Sequence, residues 1–304
     1  MKKIILCCLF FWLCTMLNAQ QPQTFKFVER DTQSLYLDLY HPDAEIDNGY
    51  CVLFVFGGGF IEGKRDGETA TTYAAALLQK GYSVICIDYR LGLVGAKMKG
   101  VAKIKSTERA IKMAVEDLFA ATHYILQNAE SLHINTDKIV LSGSSAGAIT
   151  VLQGDYELGN RSALAEILPE DFHYAGVMAF AGAIFSREGK IQYRAHAPAP
   201  TMFLQGIEDR LVTYEKIQFA NIGWFGTNAI VPRFEKFNYP YYVRRYEGLG
   251  HEVAGFMTRE IELSDWFIKT YIVQKQFLQI DQTYNDPAIP RSDFGSFKPS
   301  DLYN

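Results

Sequence analysis

Five short, nearly continuous apolar runs punctuate the chain, CVLFVF at 51–56, YSVICIDY at 82–89, KIVLSG at 138–143, HYAGVMAFAG at 173–182 and PTMFLQG at 200–206, and YYVRRYEG at 241–248 is the last strand candidate. A strand with one wet face alternates apolar and polar residues. An unbroken apolar run of this length instead marks a strand covered on both faces, as in a parallel sheet between helices. Helical stretches fall between the runs. ETATTYAAALLQKG reads as a helix stopped by Gly81, and STERAIKMAVEDLFAATHYILQNAE as a longer one with Ser106 or Thr107 ahead of Glu108 at its start. GAITVLQGDYE and ELSDWFIKTYIVQ follow as two more. The rhythm predicts an α/β fold, a central and mostly parallel sheet flanked by helices on both faces.

The flanks of this pattern are weaker. TFKFVERD and QSLYLDLYHP alternate, which predicts a hairpin or two edge strands. Residues 90–106 carry glycines and four lysines with little periodicity, and read as an excursion over one face of the sheet. From about residue 280 the proline-broken end reads as an extended tail.

At the other end, Lys2 and Lys3 precede the apolar IILCCLFFWLCTML, which leads to Asn18-Ala19-Gln20. A basic start, an apolar stretch short for a membrane span and a small residue at the end predict a signal peptide over 1–19 and an exported protein, periplasmic or extracellular. Retention of the segment as an N-terminal anchor is the alternative. Residues 20–304 then form a single domain, with no stable membrane span once the leader is removed. The formal charge of −4 becomes −6 without Lys2 and Lys3, and no Arg/Lys stripe offsets it, which argues against a nucleic-acid partner. Beyond the leader only Cys51 and Cys86 remain, both inside apolar runs, so no disulfide scaffold is indicated. No His, Cys, Asp or Glu cluster has metal-ligand spacing, so no metal site is expected. No oligomeric state is assigned by these residues.

The chemistry gathers where the apolar runs end. KIVLSGSSAGAIT contains Gly-x-Ser-x-Gly as Gly143, Ser145 and Gly147. Between a strand and a helix, this spacing fits a sharp turn that strains the central serine and lifts its Oγ above the sheet. The N–H of Ala146 then sits at a helix N-terminus, facing developing negative charge. Ser142 and Ser144 lack glycines at these offsets. Upstream, CVLFVF runs into Gly57, Gly58 and Gly59, where backbone N–H groups can approach a ligand unobstructed. The oxyanion hole is therefore expected from the N–H groups of Gly58, Gly59 and Ala146. Among six histidines, His251 alone occupies a glycine-flanked loop, GLGHEVAGF, late in the chain, as a base arriving last should. His196 is the reserve. An orienting acid is sought at the exit of PTMFLQG, where Glu208 and Asp209 follow. Asp209 is preferred because Leu211 and Val212 would pack down and fix its loop.

Taken together, these motifs resemble the α/β-hydrolase superfamily, and within it the bacterial esterase/lipase group related to hormone-sensitive lipase and to small carboxylesterases. The resemblance covers residues 25–273. Its signatures are a glycine loop, here Phe56-Gly57-Gly58-Gly59; the elbow at 143–147; the Gly-x-x-Asp-x-x-Val loop at 206–212; and Gly250-His251. Asp88-Tyr89-Arg90 and Glu116-Asp117 also look familial, with Asp117 expected as a buried structural partner. Two positions depart from the pattern. Phe56 stands where the family begins its glycine loop with histidine, and Gln205 stands for the histidine before the acid loop.

The resemblance implies a serine carboxylic-ester hydrolase with Ser145, Asp209 and His251 as catalytic residues and no cofactor. Export and the aromatic content of 14% point to a small-molecule or carbohydrate-linked ester, acetyl or feruloyl, as substrate. A serine peptidase of the same fold and a noncatalytic binding protein are the competing expectations.

Overall fold

The computed structural model describes residues 21–31, 33–96 and 100–292. The leader expected over 1–19 and the last part of the expected tail, 293–304, lie outside them. In chain order the elements are β1 (Gln23–Arg30), β2 (Gln33–Tyr40), β3 (Cys51–Val55), α1 (Glu68–Leu78), β4 (Ser83–Ile87), α2 (Gly100–Gln127), β5 (Ile139–Ser144) and α3 (Ala146–Gly159). There follow β6 (Gly176–Phe180), β7 (Ala183–Ser186), β8 (Thr201–Gly206), β9 (Lys216–Phe219), β10 (Ile222–Gly226), α4 (Thr227–Lys236), β11 (Tyr241–Tyr246), α5 (Ile261–Phe267) and β12 (Gln279–Tyr284).

Among the described residues, nine strands form one sheet in the order β1-β2-β4-β3-β5-β6-β8-β11-β12. The β1–β2 hairpin adds antiparallel at one edge, and every pairing from β4 to β12 is parallel. All residues of β3, β4, β5, β6 and β8 are buried, which is why their sequences run apolar without alternation. From β3 the chain steps outward to β4, then returns past β3 to β5. With right-handed crossovers, that reversal puts α1 and α2 on opposite faces. α3 packs beside α2. α5 is tied to the turn between α1 and β4, where Tyr82 Oη donates to Asp265 Oδ1 at 2.7 Å. The expected layered α/β fold is what forms.

Parallel strands share one carboxyl edge. The exits of β3, β5, β8 and β11 therefore bring residues 57–59, 145, 209 and 251 to the same side of the sheet.

Four features differ from the sequence reading. α2 begins at Gly100, so the second half of the supposed excursion at 90–106 is helix. Its first turns, with Lys103 and Lys105, are only partly covered, so they lack a clear apolar stripe. A three-stranded antiparallel sheet, β7-β10-β9, is additional; β9 is fully exposed and reads as loop. α4 contains Pro232, which marks a helix break in sequence. Finally, the tail expected from about 280 starts with β12, so β11 is not the last strand. QIDQTY is half-exposed and polar, but the Arg245 guanidinium grips Asp281 through two hydrogen bonds and ties the strand to β11. No helix among the described residues is long and apolar enough to cross a membrane.

Candidate active site

Ser145 sits between β5 and α3 with φ +53° and ψ −116°. A non-glycine residue at positive φ costs about 1–3 kcal/mol and persists only where its surroundings enforce it. Here the backbone leaves no room to relax. A Cβ added at Gly147 would stand 2.0 Å from Val55 O, so the helix presses directly on β3. Ser145 N–H donates to Phe180 O at 2.9 Å, holding the turn to β6. The three neighbouring serines have separate partners. Ser142 Oγ bonds Tyr73 Oη at 3.1 Å in the core, and Ser144 Oγ donates to Ala254 O at 2.8 Å. Ser145 Oγ lies 2.8 Å from His251 Nε2.

His251 opens a 3-10 turn, His251–Gly255, just beyond β11, and is 1% exposed. Its Nδ1 lies 2.9 Å from Asp209 Oδ2. A carboxylate can only accept, so Nδ1 carries the proton and Nε2 is left to accept from the Ser145 hydroxyl. Asp209 is buried, and its Oδ1 accepts from the backbone N–H groups of Leu211 and Val212 at 3.0 Å each. Fixation of the loop by Leu211 and Val212 thus works through both amides, while only the Val212 side chain joins the core. The two loops also meet directly: a Cβ at Gly206 would lie 2.3 Å from both Leu249 O and Gly250 O. Glu208 N–H adds a bond to Leu249 O at 2.9 Å. Acid and base are therefore positioned by one backbone crossing. Glu208 itself is turned outward with 57% of its side chain exposed.

The glycine loop lies across from the elbow. Gly58 has φ +109°, and a Cβ there would meet Glu62 O at 2.1 Å, so this turn excludes larger residues. Gly59 follows at φ +62°. Both line a cavity of about 480 Å³ that also opens on Ser145 and His251. A second cavity, of about 320 Å³, opens on Ser145, Gly59 and Ala146. Phe56, in place of a histidine, stacks on Tyr89 with ring centroids 4.4 Å apart. Tyr89 Oη donates to Phe56 O at 3.1 Å, so an aromatic pair shapes this loop.

The structure therefore brings Ser145, His251 and Asp209 into one hydrogen-bonded chain, with Gly58, Gly59 and Ala146 lining the cavities that open on Ser145. It does not bring His196 there. That residue is exposed and lines a separate groove with Asp137 and Pro240, near the opposite ends of the strands. Asp117, expected as a structural partner, is fully buried, accepts from Arg90 N–H and Nε and pairs with Arg30. Gln205 gained no role from sequence. It donates to Asp209 Oδ2 and to Val212 O, and the signal was its place directly before the acid-loop glycine. Among the described residues, no group of three or more His, Cys, Asp or Glu is arranged to hold a metal ion.

Known proteins match parts of this chain and its fold. The family model described as BD-FAE matches residues 37–183, which include the glycine loop and the elbow. Acetylcholinesterase 4 of Caenorhabditis briggsae is 30% identical over 142 residues, 47% of this chain. Fumonisin B1 esterase of Sphingopyxis macrogoltabida is 29% identical over 117 residues, 38% of this chain. The matched stretch is 21% of the length of each of these relatives. In three dimensions the chain is similar to a thermophilic esterase of Thermogutta terrifontis solved with propionate bound. The TM-score is 0.62 at 18% identity, over 87% of this chain and 98% of that one.

Proposed function

We propose that the chain is a serine hydrolase of carboxylic esters of the α/β-hydrolase type, a reading supported by the BD-FAE match over residues 37–183 and by the likeness in fold to a solved esterase. The observation that carries this reading is the buried chain Asp209–His251–Ser145, with contacts of 2.9 and 2.8 Å, ending on a serine at positive φ.

In this mechanism Ser145 Oγ attacks the ester carbonyl carbon while His251 Nε2 takes the hydroxyl proton. Asp209 fixes the imidazole tautomer and stabilises the imidazolium that forms. The carbonyl oxygen becomes an oxyanion held by the N–H of Ala146, at the N-terminus of α3, and that of Gly58 or Gly59. His251 returns the proton to the leaving alkoxide, and the alcohol departs from an acyl-enzyme on Ser145. A water activated by the same imidazole then releases the acid. Every step uses these side chains and backbone groups, with no cofactor.

The substrate class is a small or carbohydrate-linked carboxylic ester, consistent with an exported protein whose leader is removed after Ala19. Purified enzyme lacking the leader is expected to hydrolyse p-nitrophenyl acetate and butyrate. Ser145→Ala should lower kcat by about four to six orders of magnitude. Faster cleavage of aminoacyl p-nitroanilides than of esters would favour a peptidase instead. No turnover of either would leave a binding protein.

A further inference from the structure

Ser145, Gly59 and Leu211 are shared by the two cavities, but His251 lines only the larger. That asymmetry assigns them. On the ester-hydrolase reading, on which this inference rests, the leaving oxygen must take its proton from His251 Nε2. The alcohol therefore departs through the larger cavity. The carbonyl oxygen is held towards Ala146, and the remaining substituent on the carbonyl carbon, the acyl chain, is directed into the smaller cavity that Ala146 lines.

The linings suit those assignments. Glu62, Lys64 and Glu68 border the larger cavity, offering charged partners to a hydroxylated alcohol. The smaller is walled by Phe60, Ile104, Ile149, Ile217 and Trp224. Two of these come from the accessory sheet. Trp224 on β10 stands directly opposite Ile217 on β9 and Phe185 on β7, and its indole packs on the Phe185 ring at 5.0 Å. Directly paired residues on neighbouring strands point to the same face, so these three make one apolar row. About 320 Å³ far exceeds what an acetyl group fills. It falls in the range of pockets that enclose whole organic ligands.

We propose that the cavity between Ser145 and the β7-β10-β9 sheet is the acyl site, that it selects extended aliphatic or arylalkanoyl groups over acetyl, and that Trp224 with Ile217 sets the length accepted. The accessory sheet, absent from the sequence reading, thus acts as the specificity element of the active site.

Two substrate series test the assignment on the enzyme lacking the leader. The first varies the acyl group on a fixed alcohol: p-nitrophenyl acetate, butyrate, hexanoate, decanoate and 3-phenylpropanoate. The second varies the alcohol on a fixed hexanoyl group, from methyl to glucosyl. The wild type is expected to favour hexanoate and 3-phenylpropanoate over acetate in kcat/KM by about tenfold or more, since each buried methylene is worth roughly a factor of four. Trp224→Ala should move the optimum towards decanoate and leave the ranking of alcohols unchanged. Ile217→Ala, on a fully exposed strand where folding tolerates change, should shift it the same way by a smaller amount. Acetate as the best substrate, with acyl ratios untouched by both variants, overturns the acyl assignment while leaving the hydrolase intact. A shift in alcohol ranking instead reverses the two cavities and also overturns it. Failure to turn over any ester overturns the hydrolase reading, and this assignment with it.

Discussion

Gln205 Nε2 lies 3.4 Å from Asp209 Oδ2, the same oxygen that accepts from His251 Nδ1, and 2.8 Å from Val212 O. Its Oε1 accepts from Thr227 N–H at 3.3 Å, so the buried amide is anchored at both ends. Gln205 thereby spans the acid loop from beneath and helps to hold the carboxylate where the imidazole needs it. Gln205→Ala is expected to lower kcat by about tenfold, the equivalent of one hydrogen bond to a charged group, with little change in KM. Gln205→His, which restores a ring N–H donor, should recover most of the loss. A fall in thermal stability without a change in kcat would reduce Gln205 to a packing role.

Asp117 is expected to matter for folding and not for chemistry. Its carboxylate is fully buried, receives Arg90 through backbone and guanidinium, and is met by Arg30 from β1. Asp117→Ala would leave Arg30 without its ion-pair partner and Arg90 with Glu116 alone, a change expected to cost about 3 kcal/mol, the low end for a broken buried pair because both guanidiniums are partly exposed. Urea denaturation should show a loss of that order. Ester turnover by the remaining folded fraction should be normal per active site, as counted by serine titration.

A pH effect on stability follows from Asp155 on α3. Burial pushes its carboxyl up to about 7, with the Ala199 N–H at 3.3 Å as a partial offset. The unfolded chain ionises near the usual value of about 3.9. Between those two values the folded state holds a proton that the unfolded state has released, so stability falls as pH rises through that window and levels off above it. Asp155→Asn should remove this slope. The variant is expected to match the wild type near pH 4 and to exceed it at pH 8, as read from urea midpoints across the range. Parallel curves for the two proteins would contradict this.

Cys51 and Cys86 are free, buried on β3 and β4, and burial pushes both thiols far above their ordinary range. Because the thiolate is the reactive form, neither should react with iodoacetamide in the native protein. Both should be alkylated in guanidinium without prior reduction. Modification of the native protein at rates seen for an exposed thiol would show that this part of the sheet opens.

What the sequence made legible was whatever burial imposes strongly. Runs such as CVLFVF and SVICI are continuous because both faces are covered, so the parallel sheet could be read directly. Ser145, Asp209 and His251 could be placed because each follows such a strand at a turn with little room. Gly147 and Gly206 show why: a Cβ at either would collide with a neighbouring backbone carbonyl. Elements with weaker constraints escaped. β9 has no buried residue, β12 is half-covered and held by Arg245 and Asp281, and α4 runs through Pro232. Gln205 was visible only as a departure from a pattern, since its role depends on where Asp209 and Val212 fall in space. The walls of the acyl site were hidden for the same reason: Trp224 and Ile217, with Phe185 packed on Trp224, come together only through long-range pairing.

The most direct test of Ser145 as an activated nucleophile is labelling with a fluorophosphonate, followed by mass spectrometry of the tryptic peptides. The hydrogen-bonded chain to Asp209 predicts one stoichiometric adduct per chain, on Ser145, lost in Ser145→Ala and strongly slowed in His251→Ala, while both variants stay folded. An unlabelled protein, or an adduct on Ser142 or Ser144, would contradict it.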